Sequence, residues 1–269
     1  MKNRFVSLVL VIAGLLLVPA AQAGRSCEIK KPTPEMFTNG LNLAEKTWRA
    51  LNASGEKVVL LGRAGQDLSQ YGLSYSHVGL AYQESDGQGG QTWRVLHKLN
   101  ECGTSSASIY RQGLGEFFLD DPWRYEAVWL APTPEVQAKL LALLQSPTRS
   151  LIMQHKPYSI VSYAWGQKYQ QSNQWVIETL AAAMEPSVNS RLQAQAWLQF
   201  KGYQPTVLTI RPLTRLGGRV TAANVAFDDH PSEKRYSDHI ETVTVDSIFD
   251  WLARAQLSAP GRQPTVLGL

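Results

Sequence analysis

Two short stretches of the 269-residue chain carry side chains suited to acyl-transfer chemistry. The first is Tyr75-Ser76-His77-Val78-Gly79-Leu80-Ala81-Tyr82. Val78, Leu80 and Tyr82 alternate with small or polar residues, the period-2 pattern of a strand with one face on a core. His77 shares the phase of Gly79 and Ala81, which leaves room for an open groove above it. An imidazole held on a rigid strand is placed to act as a general base; the competing reading is a hydrogen-bonded structural histidine. The second stretch is Tyr169-Gln170-Gln171-Ser172-Asn173-Gln174-Trp175-Val176. Ser172 or its neighbour starts a helix with Val176, Ile177, Leu180 and Met184 inward, followed by Pro186. A nucleophile there gains from the positive end of the helix dipole, and the unpaired amides of the first turn can hold an oxyanion. A histidine from a facing strand would complete a dyad, with a third polar group orienting its other ring nitrogen. His97 is the first candidate for that third group and Asn100 the second. Serine is a weaker nucleophile than cysteine and a favoured N-cap, worth about 1 kcal/mol to a helix, so capping competes with catalysis at Ser172.

The elements that must position these residues are legible in outline. Residues 35–52 read as a helix striped by Met36, Leu43, Ala44, Thr47, Trp48 and Leu51, although Gly40 weakens it. Val58 to Leu61 is a short buried strand, and Gly62 to Asp67 a turn-rich loop. Ser74 to Tyr82 and Thr92 to Leu99 are partner strands across the flexible connection Asp86-Gly87-Gln88-Gly89-Gly90. Arg124 to Leu130 is another strand. Helices follow from Thr133-Pro134 to Pro147, from Ser172, over 190–201, and from Val245 to Ala255, with a strand at Val207 to Ile210. Strand hairpins followed by helices predict an α+β fold with an antiparallel sheet packed against helices. Residues 24–260 are expected to form one domain with elaborations, and 261–269 a flexible tail.

Residues 1–23 have the features of a cleaved secretory leader: Lys2 and Arg4, an apolar run from Phe5 to Val18, and Ala21-Gln22-Ala23. The run is too short for a membrane anchor, so no transmembrane segment is expected in the mature chain and a periplasmic or secreted location is. The net charge is +4 at pH 7, two of which leave with Lys2 and Arg4; no dense basic run suggests nucleic acid. The two cysteines, Cys27 and Cys102, are expected to form one disulfide in an oxidising compartment. No GxGxxG or Walker A pattern supports a nucleotide, and no cofactor is implied. Asp228-Asp229-His230 with Asp238-His239 admits a metal reading, but the polar residues 231–235 favour a solvated loop, and no metal is expected. Trp123, Trp129 and Trp197 read as core.

Ser76-His77-Val78-Gly79 resembles the histidine strand of papain-like hydrolases of the NlpC type, in their circularly permuted branch. There the histidine strand comes first and the nucleophile helix later. Ser172-Asn173-Gln174-Trp175-Val176 fits that helix start with serine where cysteine belongs. Together with Gly62-Arg63-Ala64-Gly65, these motifs also resemble an uncharacterised family of periplasmic bacterial proteins, number 2145 among domains of unknown function. The resemblance implies a papain-like sheet and helices, with His77 as base, Ser172 as nucleophile and His97 as orienter. Asn173, Tyr169 and Asn100 are expected around the groove or oxyanion position. The implied activity is hydrolysis or transfer of an acyl group at an amide, ester or thioester, with cell-wall peptide or lipid acyl groups as substrates. The alternative is a catalytically inactive binding module or envelope scaffold that retains the groove.

Overall fold

The computed structural model describes residues 33–120 and 122–269; the expected leader and Cys27 lie outside the described residues. Helix α1 (Pro34–Ser54) begins at Thr33, whose hydroxyl accepts from the Met36 amide at 3.2 Å. Pro34 occupies the first helical position, and Gly55 ends the helix in the left-handed region at φ 73°. Gly40, the apparent weakness of this helix, is buried where α1 meets the next helix. A Cβ there would fall 2.9 Å from Leu119 Cδ2 and 3.1 Å from the Phe118 carbonyl. The residue trades helix propensity for a close approach.

Six strands form one antiparallel sheet in the order β4-β3-β2-β1-β5-β8. They are β1 (Val58–Arg63), β2 (His77–Ser85), β3 (Gln91–Asn100), β4 (Ala107–Gly113), β5 (Glu126–Leu130) and β8 (Thr265–Gly268). β1 is buried throughout, as a near-continuous apolar run requires when both sheet faces are covered. Val59, Leu61, Ala81 and Val95 pack against α1 and the short α2 (Leu114–Phe118). Val58, Leu60, Val78, Leu80 and Leu96 pack against α3 (Pro134–Leu144), α4 (Ser172–Met184), α5 (Arg191–Phe200) and α8 (Val245–Arg254). The predicted α+β class with an antiparallel sheet against helices is what forms. A separate two-stranded ribbon, β6 (Thr206–Thr209) with β7 (His239–Thr242), lies with α6 (Pro212–Thr221) and α7 (Ser232–Arg235) in the chain between α5 and α8. No helix among the described residues is long and apolar enough to cross a membrane.

Several expectations need correction. The stretch 261–269 is not left as a loose tail: Thr265–Gly268 pairs with β5, from Glu126↔Gly268 to Trp129↔Thr265. That pairing covers the edge that β5 would otherwise expose. Asp229 and His230 do not sit on a solvated loop. Both side chains are buried, joined at 2.9 Å, and Asp229 also accepts from the Tyr163 amide at 2.8 Å. Trp123 and Trp48 are about half exposed, whereas Trp129 is in the core as expected.

Candidate active site

The first residue of β2 and the first residue of α4 meet. His77 Nδ1 lies 3.2 Å from Ser172 Oγ, and His77 Nε2 lies 2.9 Å from His97 Nδ1. His97 Nε2 continues to Gln112 Oε1 at 2.8 Å. One polar chain therefore runs from a helix start across β2 and β3 to β4. Strand register explains it. His97 lies on the same sheet face as His77 and Gly79, because β2 and β3 pair through Leu80↔Leu96. Gly79 makes room for the second ring: a Cβ there would fall 3.0 Å from His97 Cβ and 2.7 Å from Val95 Cγ1.

α4 belongs to the layer on the opposite face, yet Ser172 reaches His77 at the start of β2, ahead of the β2–β3 pairing that begins at Leu80. The Val78 amide is left available and donates to Asn173 Oδ1 at 3.1 Å. Asn173 Nδ2 in turn donates to the Ser76 and Val243 carbonyls. Asn173 thus pins the helix start to the strand start and does not line a groove, contrary to expectation. The N-cap of α4 is Gln171, which makes no side-chain cap, so Ser172 is the first helical residue rather than the capping one. Its hydroxyl faces His77 and the hydroxyl of buried Tyr158. Burial pushes the Tyr158 phenol up to about 12, which keeps it a protonated donor.

The segment leading into Ser172 is held by a buried ionic network. Arg191 donates to Glu178 at 2.8 Å and also to the carbonyls of Gly166, Gln167 and Tyr169. Glu178, fully buried, accepts further from Gln195 at 2.8 Å and from Gln170. Gln170 Oε1 accepts from Lys98 Nζ at 2.6 Å. Every charge in this cluster meets a polar partner, the condition for keeping it out of water.

Among the described residues the face above His77 is covered, contrary to the expected open groove. α2 covers that face, with the Phe117 ring centroid 5.9 Å from that of His77 and 5.2 Å from that of His97. Arg63, opposite His77 in the β1–β2 register, places its guanidinium over the Phe117 ring, 4.7 Å from the centroid. It also donates to the Phe117 carbonyl and to Asp120. The loop reading of residues 62–67 gives way here, since Gly62 and Arg63 complete β1. His77 is 8% exposed and Ser172 6%, so the pair touches solvent only at its margin.

Two more expected residues lie elsewhere. Asn100 does not orient a histidine; it donates to the Thr104 and Ser106 carbonyls and accepts from Asn224, closing the turn after β3. Tyr169 is bonded through its hydroxyl to Asp228. Cys102 sits in that same turn region, and its expected partner Cys27 lies outside the described residues. Gln112, Tyr158, Phe117 and Arg63 escaped the sequence reading as site residues. Only Arg63 had a signal, within Gly62-Arg63-Ala64-Gly65. Among the described residues no cluster of three or more His, Cys, Asp or Glu could hold a metal.

Burial pushes His97 from its ordinary value of 6.5 down to about 4, and the nearby Arg63 charge pushes the same way. The hydrogen bond to Gln112 and the charge of Asp120 oppose this without offsetting it. The folded state therefore refuses a proton that the unfolded chain accepts. Above pH 6.5 both states hold a neutral ring and nothing is lost. As pH falls from 6.5 towards 4 stability declines, by on the order of 3 kcal/mol for this group. Urea titrations at pH 7 and pH 4 are expected to show a smaller acid loss in His97→Gln than in the wild type. Equal losses would contradict the buried neutral ring.

No curated protein and no solved structure matches this chain. A family model described as an uncharacterized protein conserved in bacteria, domain of unknown function 2145, matches residues 50–252. That span runs from the end of α1 to α8 and takes in His77, His97, Gln112 and Ser172. The chain belongs to that uncharacterised bacterial family.

Proposed function

We propose that this chain is an acyl hydrolase or acyltransferase with the papain-like architecture of the permuted NlpC type, acting at an amide, ester or thioester. The observation that carries the reading is the polarity of the Ser172–His77–His97–Gln112 chain. Gln112 Oε1 can only accept, so His97 Nε2 carries the proton. His97 is neutral near pH 7, so its Nδ1 is an acceptor. His77 Nε2 must then donate to it, which leaves His77 Nδ1 bare towards the Ser172 hydroxyl. That is the tautomer a general base needs.

In the proposed reaction Ser172 Oγ bonds to the substrate carbonyl carbon as its proton passes to His77 Nδ1. The first-turn amides of α4 face the developing oxyanion. Collapse breaks the bond to the amine, alcohol or thiol, which takes the proton from His77. Water or an acceptor nucleophile then removes the acyl group from Ser172 by the same steps in reverse. The substrates we propose are cell-wall peptides or lipid acyl groups met in the periplasm. The leader-like composition of residues 1–23 supports that location.

A second reading is favoured by one observation. With Ser172 and His77 nearly buried under Phe117 and Tyr158, a catalytically inactive binding module or envelope scaffold would look the same at rest. Turnover of activated acyl esters and of wall stem-peptide amides separates the two. In an enzyme Gln112→Leu should lower the rate about tenfold to a hundredfold, less than the ~10²–10⁴ that a general base itself supplies. It should do so with the fold intact. A wild type that binds such compounds without turning any over would favour the inactive module.

A further inference from the structure

Helix α6 is turned inside out for a helix on a protein surface. Leu213 is 84% exposed, Leu216 59% and Val220 78%. At 100° per residue these three fall within one narrow sector of the helix. The side that packs inward carries Arg215 and Gly218 instead. Arg215 donates to the Arg235 carbonyl at 2.6 Å and lies over the Phe227 ring at 5.8 Å. A surface helix ordinarily buries its apolar stripe and leaves its arginines in water. Here the stripe stays in water, with exposed Arg219 beside it and exposed Arg211 at the N-cap of the helix.

Charge identifies what covers this face. Arg211 and Arg219 are the exposed charges of this helix and its N-cap, and residues 211–221 carry no Asp or Glu. A second copy seated on the stripe would bring the Arg219 charges of both chains towards one seam with no acidic residue on the helix to offset them. An anionic bilayer surface offers phosphates to the arginines and acyl chains to the leucines, and arginine stems can lie along the boundary between them. We infer that the outer face of α6 docks this protein, as a peripheral protein, on a bilayer bearing anionic lipid headgroups. This face is separate from the Ser172 site and does not depend on its activity.

Flotation with phosphatidylglycerol/phosphatidylcholine vesicles, against pure phosphatidylcholine, tests the inference. The wild type should bind the anionic vesicles at least about tenfold more tightly, with affinity falling as salt rises. Leu213→Ser/Leu216→Ser/Val220→Ser should lose binding to both vesicle types. Arg211→Gln/Arg219→Gln should lose only the preference for anionic lipid. All five side chains are exposed, so circular dichroism of both variants should match the wild type. Absence of wild-type binding, or binding that the apolar variant retains, would overturn the inference. So would sedimentation showing concentration-dependent dimers that the apolar variant abolishes, because the stripe would then be a self-interface.

Discussion

A fluorophosphonate probe is expected to label wild-type protein at Ser172. Ser172→Ala should abolish that labelling, and His77→Ala should slow it by at least about a hundredfold. The size follows from the geometry. An unassisted alcohol is a poor nucleophile at neutral pH, and here the base that activates it lies 3.2 Å from Oγ. Phe117 packs against both imidazole rings, so Phe117→Ala should open the pair and raise the labelling rate. Peptide mass spectrometry reads the site directly. Labelling at another serine, or equal labelling of His77→Ala, would show that the pair is not a reacting unit.

The largest stability effect is expected away from the pair, at Arg191. Arg191→Met leaves the Glu178 carboxylate buried without its cation and frees the carbonyls of Gly166, Gln167 and Tyr169. Removing one partner of a buried ion pair costs about 3–5 kcal/mol. The exposed pair Arg49–Glu45 on α1 is just as close, at 2.6 Å, but water screens it. Arg49→Met should leave the urea midpoint where it is. Because the freed carbonyls lie in the run-up to Ser172, Arg191→Met should also slow probe labelling in whatever fraction stays folded. Equal midpoint shifts in the two variants would contradict this ranking.

The sequence disclosed the first three members of the polar chain, Ser172, His77 and His97, but neither its far end at Gln112 nor its walls. His77 and Ser172 stood out because each lies in a short stretch whose pattern fixes its element: alternation around the histidine, a helical apolar run after the serine. His97 followed from the hairpin that pairs β2 with β3. Gln112 did not, because β4 (Ala107–Gly113) mixes Ser, Tyr, Arg and Gln along a sheet edge and shows no clean alternation. Tyr158 lies in an irregular segment, and no local pattern says that its hydroxyl meets Ser172. Asn100 was expected near His77 from its place on the partner strand, and Asn173 from the resemblance of the helix start. Both are spent on backbone groups that strand ends and turns leave unpaired. The open groove failed for a related reason, since Val95 and His97 fill the space at Gly79 and α2 packs over the imidazole face. α6 was missed because Gly217 and Gly218 weaken its helical signal. The final strand escaped because Thr265–Gly268 is only four residues long.

The central claim is that the start of α4 and the imidazole of His77 act together on the group at position 172. Ser172→Cys converts that claim into a thiol whose ionisation can be read without knowing a substrate, from the pH dependence of its alkylation. Helix dipole and imidazole both favour the thiolate, so the introduced thiol is expected to titrate well below the free value of about 8.5. Adding His77→Ala should return it towards that value. A thiol that titrates at about 8.5 or above, unmoved by His77→Ala, would contradict the account.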